Sequence, residues 1–159
     1  MKITNLEQDF MQISVTTGKT MGLDELGSKI FAILYLAPES MTMEELSART
    51  GYGTTSIFNK LNMMVQFQFV QKIKKPGSKK TYFFVKKDIP KMFKERLIFG
   101  YENRILPLKE KVPIILNKYK SAKLTKQEKE KLQILKDYNK QLIKMEKGIK
   151  EFIIIMGKE

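Results

Sequence analysis

The 159-residue chain contains no cysteine and no histidine. Without cysteine it can form no disulfide framework, thiol nucleophile or thiolate metal site. Without histidine it lacks the commonest general base and the commonest soft-metal ligand. Neither an enzyme nor a metal or cofactor site is therefore expected. No Walker-type or dinucleotide-type glycine loop is present. Gly51-Tyr52-Gly53 lacks a third glycine and follows a helical pattern rather than a strand. The adjacent acidic pairs Asp24/Glu25 and Glu44/Glu45 diverge around a helix, and the positive end of a helix dipole accounts for each. Arginine is scarce, occurring only at Arg49, Arg96 and Arg104. The longest clean aliphatic run, Phe152 to Met156, falls far short of the roughly 20 residues that span a bilayer. The first residues, MKITNLEQDF, carry no apolar signal-peptide core. A soluble, cytoplasmic protein is expected.

What the chain has in excess is positive charge, +13 overall. The charge is uneven. Residues 1–53 carry a net −3, residues 54–100 a net +9 and residues 101–159 a net +7. A clustered excess of this kind suits a polyanion partner. The competing explanation is a composition rich in lysine throughout. Hydrophobic content of 42% is ample for a core.

Ile3, Leu6, Phe10 and Ile13 recur at helical spacing and predict an N-terminal helix over residues 3–15 with one apolar stripe. Gly18 and Gly22 interrupt the pattern. A second helix is expected from about Leu23, with Asp24 and Glu25 in its first turn and Pro38 ending it. Ile30, Phe31, Ile33, Leu34 and Leu36 make it the central core helix. Thr42 and Glu45 form a capping box for a third helix, with Leu46 inward and Gly51 making a tight turn. A fourth helix is predicted from Thr54 to Phe67. Ile57, Leu61 and Met64 share its buried face. Thr54, Thr55, Ser56, Phe58, Asn59 and Asn62 lie on or near the outer faces. Solvated helices favour Glu and Lys there. Short hydroxyls and amides instead suit base edges, and a phenylalanine suits a thymine methyl.

Residues 69–75 and 81–87 read as a hairpin joined at Pro76-Gly77-Ser78. Lys72, Lys74, Lys75, Lys79 and Lys80 crowd its loop end. They serve either as phosphate or minor-groove contacts of a duplex reader or as protection of an edge strand against aggregation. From Asp88 the chain turns helical. Ile98, Tyr101, Ile105, Leu108, Val112, Ile115 and Tyr119 follow a three-four spacing that includes Pro107 and Pro113. An interior proline costs about 3 kcal/mol, so a bent or broken helix is expected. In a last helix, about Thr125 to Met156, Leu135, Leu142, Ile149 and Met156 alternate with Tyr138, Met145 and Phe152. This is an a/d seam for helix pairing. Together with Ile3, Leu6, Phe10 and Ile13 it predicts a two-fold homodimer. Intramolecular packing of the C-terminal helices is the alternative.

The chain resembles the MarR superfamily of winged-helix transcription regulators, and within it the GbsR-like branch. The resemblance rests on GLDELGSKIFAILYL, on TMEELSARTGYGTTSIFNKL and, most specifically, on PGSKKTYFF with its glycine, basic pair and two aromatics. It implies a mainly α fold with a small β-hairpin wing (α+β). Residues 1–20 would form an N-terminal dimerisation helix, 21–88 the winged helix-turn-helix and 89–159 a C-terminal helical dimerisation region. It implies DNA-facing roles for Thr54, Thr55, Ser56, Phe58, Asn59, Lys79 and Lys80. Four positions depart from the family pattern. Gly53 stands for a capping Ser, Thr50 for a Leu, Asn59 for a long contact residue, and Gln68 for the glycine that ends the recognition helix in a left-handed conformation. The expected function is a dimeric regulator of transcription, a repressor, whose partner is double-stranded DNA. A small-molecule effector is a further partner the family allows, near Phe10, Phe31, Tyr35, Phe99 and Tyr101, although aromatics at helical spacing are more often core. Two other readings remain: a winged-helix module for protein interaction, and a binder of RNA or DNA without sequence preference.

Overall fold

Four helices begin where the sequence places a capping side chain. Thr4 caps α1 (Asn5–Gly18), Asp24 caps α2 (Glu25–Leu36), Thr42 caps α3 (Met43–Thr50) and Thr125 caps the helix that closes the chain. At Thr4, Thr42 and Thr125 a glutamate three residues on returns the bond to the cap's own N–H, completing a capping box. Each box satisfies donors that a helix start otherwise leaves open. Pro38 stops α2 through its predecessor: Ala37 is extended, with φ −65° and ψ 129°, as a residue before proline must be.

The structure is a computed structural model and describes residues 3–157. It divides into two units, Met1–Met92 and Phe93–Glu159. The first holds α1, a 3-10 turn at Lys19–Met21, α2, strand β1 (Met41–Thr42), α3, α4 (Thr54–Gln66), and strands β2 (Gln71–Lys74) and β3 (Thr81–Phe84). The three strands form an antiparallel sheet in the order β1-β3-β2. Met41 pairs with Phe83 and Thr42 with Tyr82, while Lys72 faces Phe83 and Lys74 faces Thr81. The strands of the hairpin are shorter than the sequence pattern predicts, because Phe69 and Val70 serve the end of α4 instead. The core is built on α2, whose Ile30, Ile33 and Leu34 are fully buried with Leu46, Ile57, Leu61, Met64 and Val70.

Gly18 does not interrupt α1. It is the last helical residue, and it lets α1 approach α2 closely: an added Cβ would lie 2.2 Å from the Ser28 Oγ. Gly22 then turns the chain with φ 81°.

Helix α5 (Ile89–Gly100) carries the boundary between the units. A five-residue π-turn, Tyr101–Ile105, follows it and leads into α6 (Leu106–Lys118) and α7 (Lys126–Ile155). The break expected around Pro107 takes the form of this π-turn. Leu106 N–H donates to the Tyr101 carbonyl, one residue beyond the α-helical partner, and Pro107 has no N–H to place. Pro113 is tolerated inside α6. In the second unit α7 lies against α6 and the π-turn. Among the described residues no helix is long and apolar enough to cross a membrane.

Candidate nucleic-acid interface

The turn between α3 and α4 is held by one glycine and two hydroxyl side chains. Gly51 adopts φ 75°, which a residue with a Cβ would resist. Ser47 donates its hydroxyl to the Tyr52 carbonyl at 2.6 Å. Thr50 donates to the Leu46 carbonyl at 2.8 Å and accepts the Tyr52 N–H at 3.4 Å. Where the family pattern has a leucine, Thr50 therefore supports the turn through its hydroxyl. Gly53 caps α4 by backbone conformation alone.

Ile57, Leu61 and Met64 of α4 are buried to within 1%, as their spacing predicts. The opposite face follows from about 100° of rotation per residue. Thr55, Asn59, Asn62 and Gln66, spaced four, three and four, form one straight exposed stripe diametrically opposed to the core. Thr54, Ser56 and Phe58 flank it and are exposed, Phe58 by 52%. Gln66 was absent from the sequence-based candidates. The same spacing rule, continued one turn past Asn62, would have found it. The stripe holds no charge.

The one cation on α4 faces elsewhere. Lys60 Nζ lies 2.5 Å from the Asp24 carboxylate. Asp24 is itself fixed as the cap of α2, accepting the Gly27 N–H at 2.9 Å. Burial opposes ionisation of Asp24, but the Lys60 ammonium and the Gly27 N–H outweigh it and hold the carboxyl below its ordinary range. A second ion pair ties α3 to α1, between Arg49 and Glu7, with both side chains largely buried. Neither pair was legible in the sequence, since the partners lie 36 and 42 residues apart.

Gln68 adopts φ 61°, the only non-glycine residue with positive φ in the chain's described residues. Its N–H donates to the Val65 carbonyl at 3.2 Å and the Phe69 N–H to the Met64 carbonyl at 2.8 Å. These are the two bonds of a Schellman motif, with Phe69 packed into the core beside Met64. The motif redirects the chain from α4 into the wing. At the wing tip Ser78 N–H donates to the Lys75 carbonyl at 3.1 Å. Pro76 and Gly77 (φ 73°) occupy the two central positions of this turn, the pattern of type II.

The wing lysines are not equivalent. Lys72 and Lys79 are exposed, and among the described residues neither ammonium has an ion-pair partner. Lys74 Nζ donates to the Lys79 carbonyl at 3.3 Å. Lys80 lies 4.0 Å from Glu44. Lys75 lies 3.5 Å from Glu39 and 4.6 Å from the centroid of the Tyr82 ring. Such exposed pairs are weak and exchange readily for a phosphate. The Glu44 carboxyl is held below the usual range by its own helix-start N–H, then by Thr42 and Lys80.

No protein-family model matches the chain, and no curated protein matches it. A solved structure does, the crystal structure of a transcriptional regulator: the TM-score is 0.71 at 17% identity, covering 96% of this chain and 99% of that one. The likeness is one of fold. The chain has the mainly helical, winged-helix α+β fold, with its small antiparallel sheet, that the sequence analysis predicts.

The two apolar stripes are split rather than uniform. On α1, Phe10 packs against Tyr35, at 5.8 Å between ring centroids, and Tyr35 stacks on Phe31. Leu6 and Ile13 are 70% and 61% exposed, and Ile3 is half-buried. On α7, Leu142 and Ile149 are buried within the second unit, and Leu135 and Met156 partly so. Tyr138, Met145 and Phe152 remain 40%, 52% and 44% exposed, with Ile134 beside them. Intramolecular helix packing thus covers one row of the predicted seam, which Leu142 and Ile149 cannot offer to a partner as they stand. Between Leu142 and Ile149 lies Glu146, buried and bound by the Tyr101 hydroxyl at 2.7 Å, Lys109 at 2.6 Å and Lys150 at 2.8 Å. Lys109, Lys150 and Tyr101 together lower its carboxyl to about 2. Tyr101, one of the aromatics weighed as core or pocket lining, serves this cluster.

Proposed function

We propose that the chain is a DNA-binding regulator of transcription of the MarR superfamily, GbsR-like branch, acting as a two-fold dimer. Helix α4 enters the major groove through Thr54, Thr55, Ser56, Phe58, Asn59 and Asn62. Lys72, Lys74, Lys75, Lys79 and Lys80 of the wing bind phosphates or the minor groove. The observation that carries this reading is the uncharged exposed stripe of α4, followed in the chain by a wing with unpaired lysines. A merely solvated helix would carry charge there. A solved structure of similar fold is that of a transcriptional regulator, which agrees with the reading. Phosphate contacts supply affinity, and the helix supplies selectivity.

The exposed rows Leu6 and Ile13 on α1, and Tyr138, Met145 and Phe152 on α7, are the surfaces for pairing. Contiguous apolar patches on soluble chains mark such contacts. In a two-fold dimer the two α4 helices meet half-sites about 34–36 Å apart. By blocking access to the bound site, the protein acts as a repressor, and a small-molecule effector that alters helix pairing would release it.

The test is selection of duplexes from a random pool at two salt concentrations, with molar mass measured by light scattering. An enriched two-fold site, bound by a dimer and weakened steeply by salt, is the expected result. A monomer that retains no duplex would overturn the proposal in favour of a protein-interaction module.

A further inference from the structure

The chemistry of α4 points to what it reads. We infer that the helix recognises A·T base pairs in the major groove, Asn59 and Asn62 bonding adenine and Phe58 seating on a thymine methyl. The inference rests on the duplex-binding reading above and names its target.

Each base presents a distinct edge in the major groove, and side chains match them by geometry. Guanine is read by Arg or Lys, paired to O6 and N7. Cytosine N4 is read by Asp or Glu. Adenine is read by Asn or Gln, whose carboxamide bonds N6 and N7 together, and thymine by an apolar contact with its methyl group. The exposed faces of α4 hold no arginine, aspartate or glutamate. Its one lysine, Lys60, lies 2.5 Å from Asp24 with only 18% of its side chain exposed, so it is engaged inside the fold. The readers of guanine and cytosine are thus missing or occupied. The readers of adenine and thymine stand in the outward stripe and on its flank.

Asn59 and Asn62 are both exposed, and among the described residues neither carboxamide has an intramolecular hydrogen-bond partner, so both keep their donor and acceptor for a ligand. From Thr55 to Asn62 the stripe rises about 10 Å along the helix. At about 3.4 Å per base pair, that length matches roughly three consecutive pairs. Phe58 extends from the flank with 52% exposure, so its ring is open to contact with an apolar group.

The experiment uses the full chain and the duplex enriched from the random pool. Adenines under α4 are replaced singly by 7-deazaadenine, which lacks the N7 acceptor, and thymines by uracil, which lacks the methyl. Affinity is expected to fall about fivefold or more at each contacted adenine. Asn59→Ala and Asn62→Ala should each abolish sensitivity at one adenine, and Phe58→Ala should abolish sensitivity to uracil. All three substitutions lie on the surface, and unchanged thermal unfolding verifies their fold. Replacing A·T by inosine·cytosine keeps the minor-groove edge of A·T but presents the major-groove edge of G·C. It should abolish selective binding. Harmless inosine·cytosine pairs would place the reading in the minor groove and overturn the inference. So would G·C pairs enriched under α4, or analogue losses that persist unchanged in all three variants. Duplex retained without any enriched sequence would overturn base reading by α4 while leaving phosphate binding intact. No retained duplex at all would remove the regulator reading itself.

Discussion

If the chain is the dimeric DNA-binding regulator proposed above, removing Lys79 should change the salt dependence of DNA binding more than removing Lys75, although both belong to the same wing. Each phosphate that a protein neutralises adds about −0.9 to the slope of log K against log salt. A dimer carries two copies, so Lys79→Ala is expected to flatten the slope by about 1.8. Between 50 and 200 mM salt, a change of about 0.6 in the logarithm, the affinity gap between wild type and variant then closes by about tenfold. The structure orders the lysines. Lys79 has no ion-pair partner among the described residues and is free to bind, so the full effect applies. Lys80 must leave Glu44, at 4.0 Å. Lys75 must leave Glu39, at 3.5 Å, and the face of Tyr82, so part of its gain on a phosphate is offset. Fluorescence anisotropy on one fixed duplex at four salt concentrations measures all three slopes. Equal slope changes for Lys79→Ala and Lys75→Ala, or an unchanged slope with Lys79→Ala, would refute the reasoning.

Gln68→Gly is expected to stabilise the chain by about 0.5–1 kcal/mol, because relief of the left-handed backbone exceeds the entropy glycine loses on folding. That corresponds to a melting temperature about 1–4 °C higher; Gln68→Val should lower it, and a Gly variant below wild type would contradict the Schellman geometry. Gly18→Ala should cost about 1–3 kcal/mol by overpacking against Ser28, and less in a Ser28→Ala background, because the 2.2 Å approach is to the Ser28 Oγ itself; equal costs in urea unfolding of both backgrounds would exclude that contact. Glu146 has a folded pKa of about 2, below its ordinary value of 4.5. Its stabilisation is therefore present in full above about pH 4.5 and fades as pH falls through 2, so Glu146→Gln should be less stable than wild type at pH 7, the gap narrowing in acid melts; a gap that widened in acid would reverse the sign of this argument.

The signals that sequence made legible act within a few residues of one another. Thr42 finds Glu45 three positions on, Gly51 supplies its own φ, and Ile57, Leu61 and Met64 need only the helical repeat. The family resemblance, not local logic, singles out Gln68 as standing where a left-handed glycine is usual, and the structure shows φ 61° there. The missed features need a distant partner. Strand β1 is two residues long and exists only because Phe83 and Tyr82 pair with it. Lys60 reads as one more surface lysine until Asp24 is brought beside it. The seam on α7 illustrates the same limit: a repeat says which residues are apolar, while the fold determines that Leu142 and Ile149 are buried and Met145 is not.

The separation of charge between α4 and the wing has a consequence for selectivity. A cation on the reading face would attract every duplex alike, since phosphate attraction carries no sequence information. It would raise non-specific binding together with specific binding and leave their ratio nearly unchanged. The fold draws the one lysine of α4 onto Asp24 and leaves the stripe neutral. On the regulator reading, the wing lysines then provide attraction that salt can tune, while discrimination falls to carboxamides and one aromatic ring. Raising salt should therefore lower affinity for all duplexes alike and leave the preference for the selected site nearly unchanged.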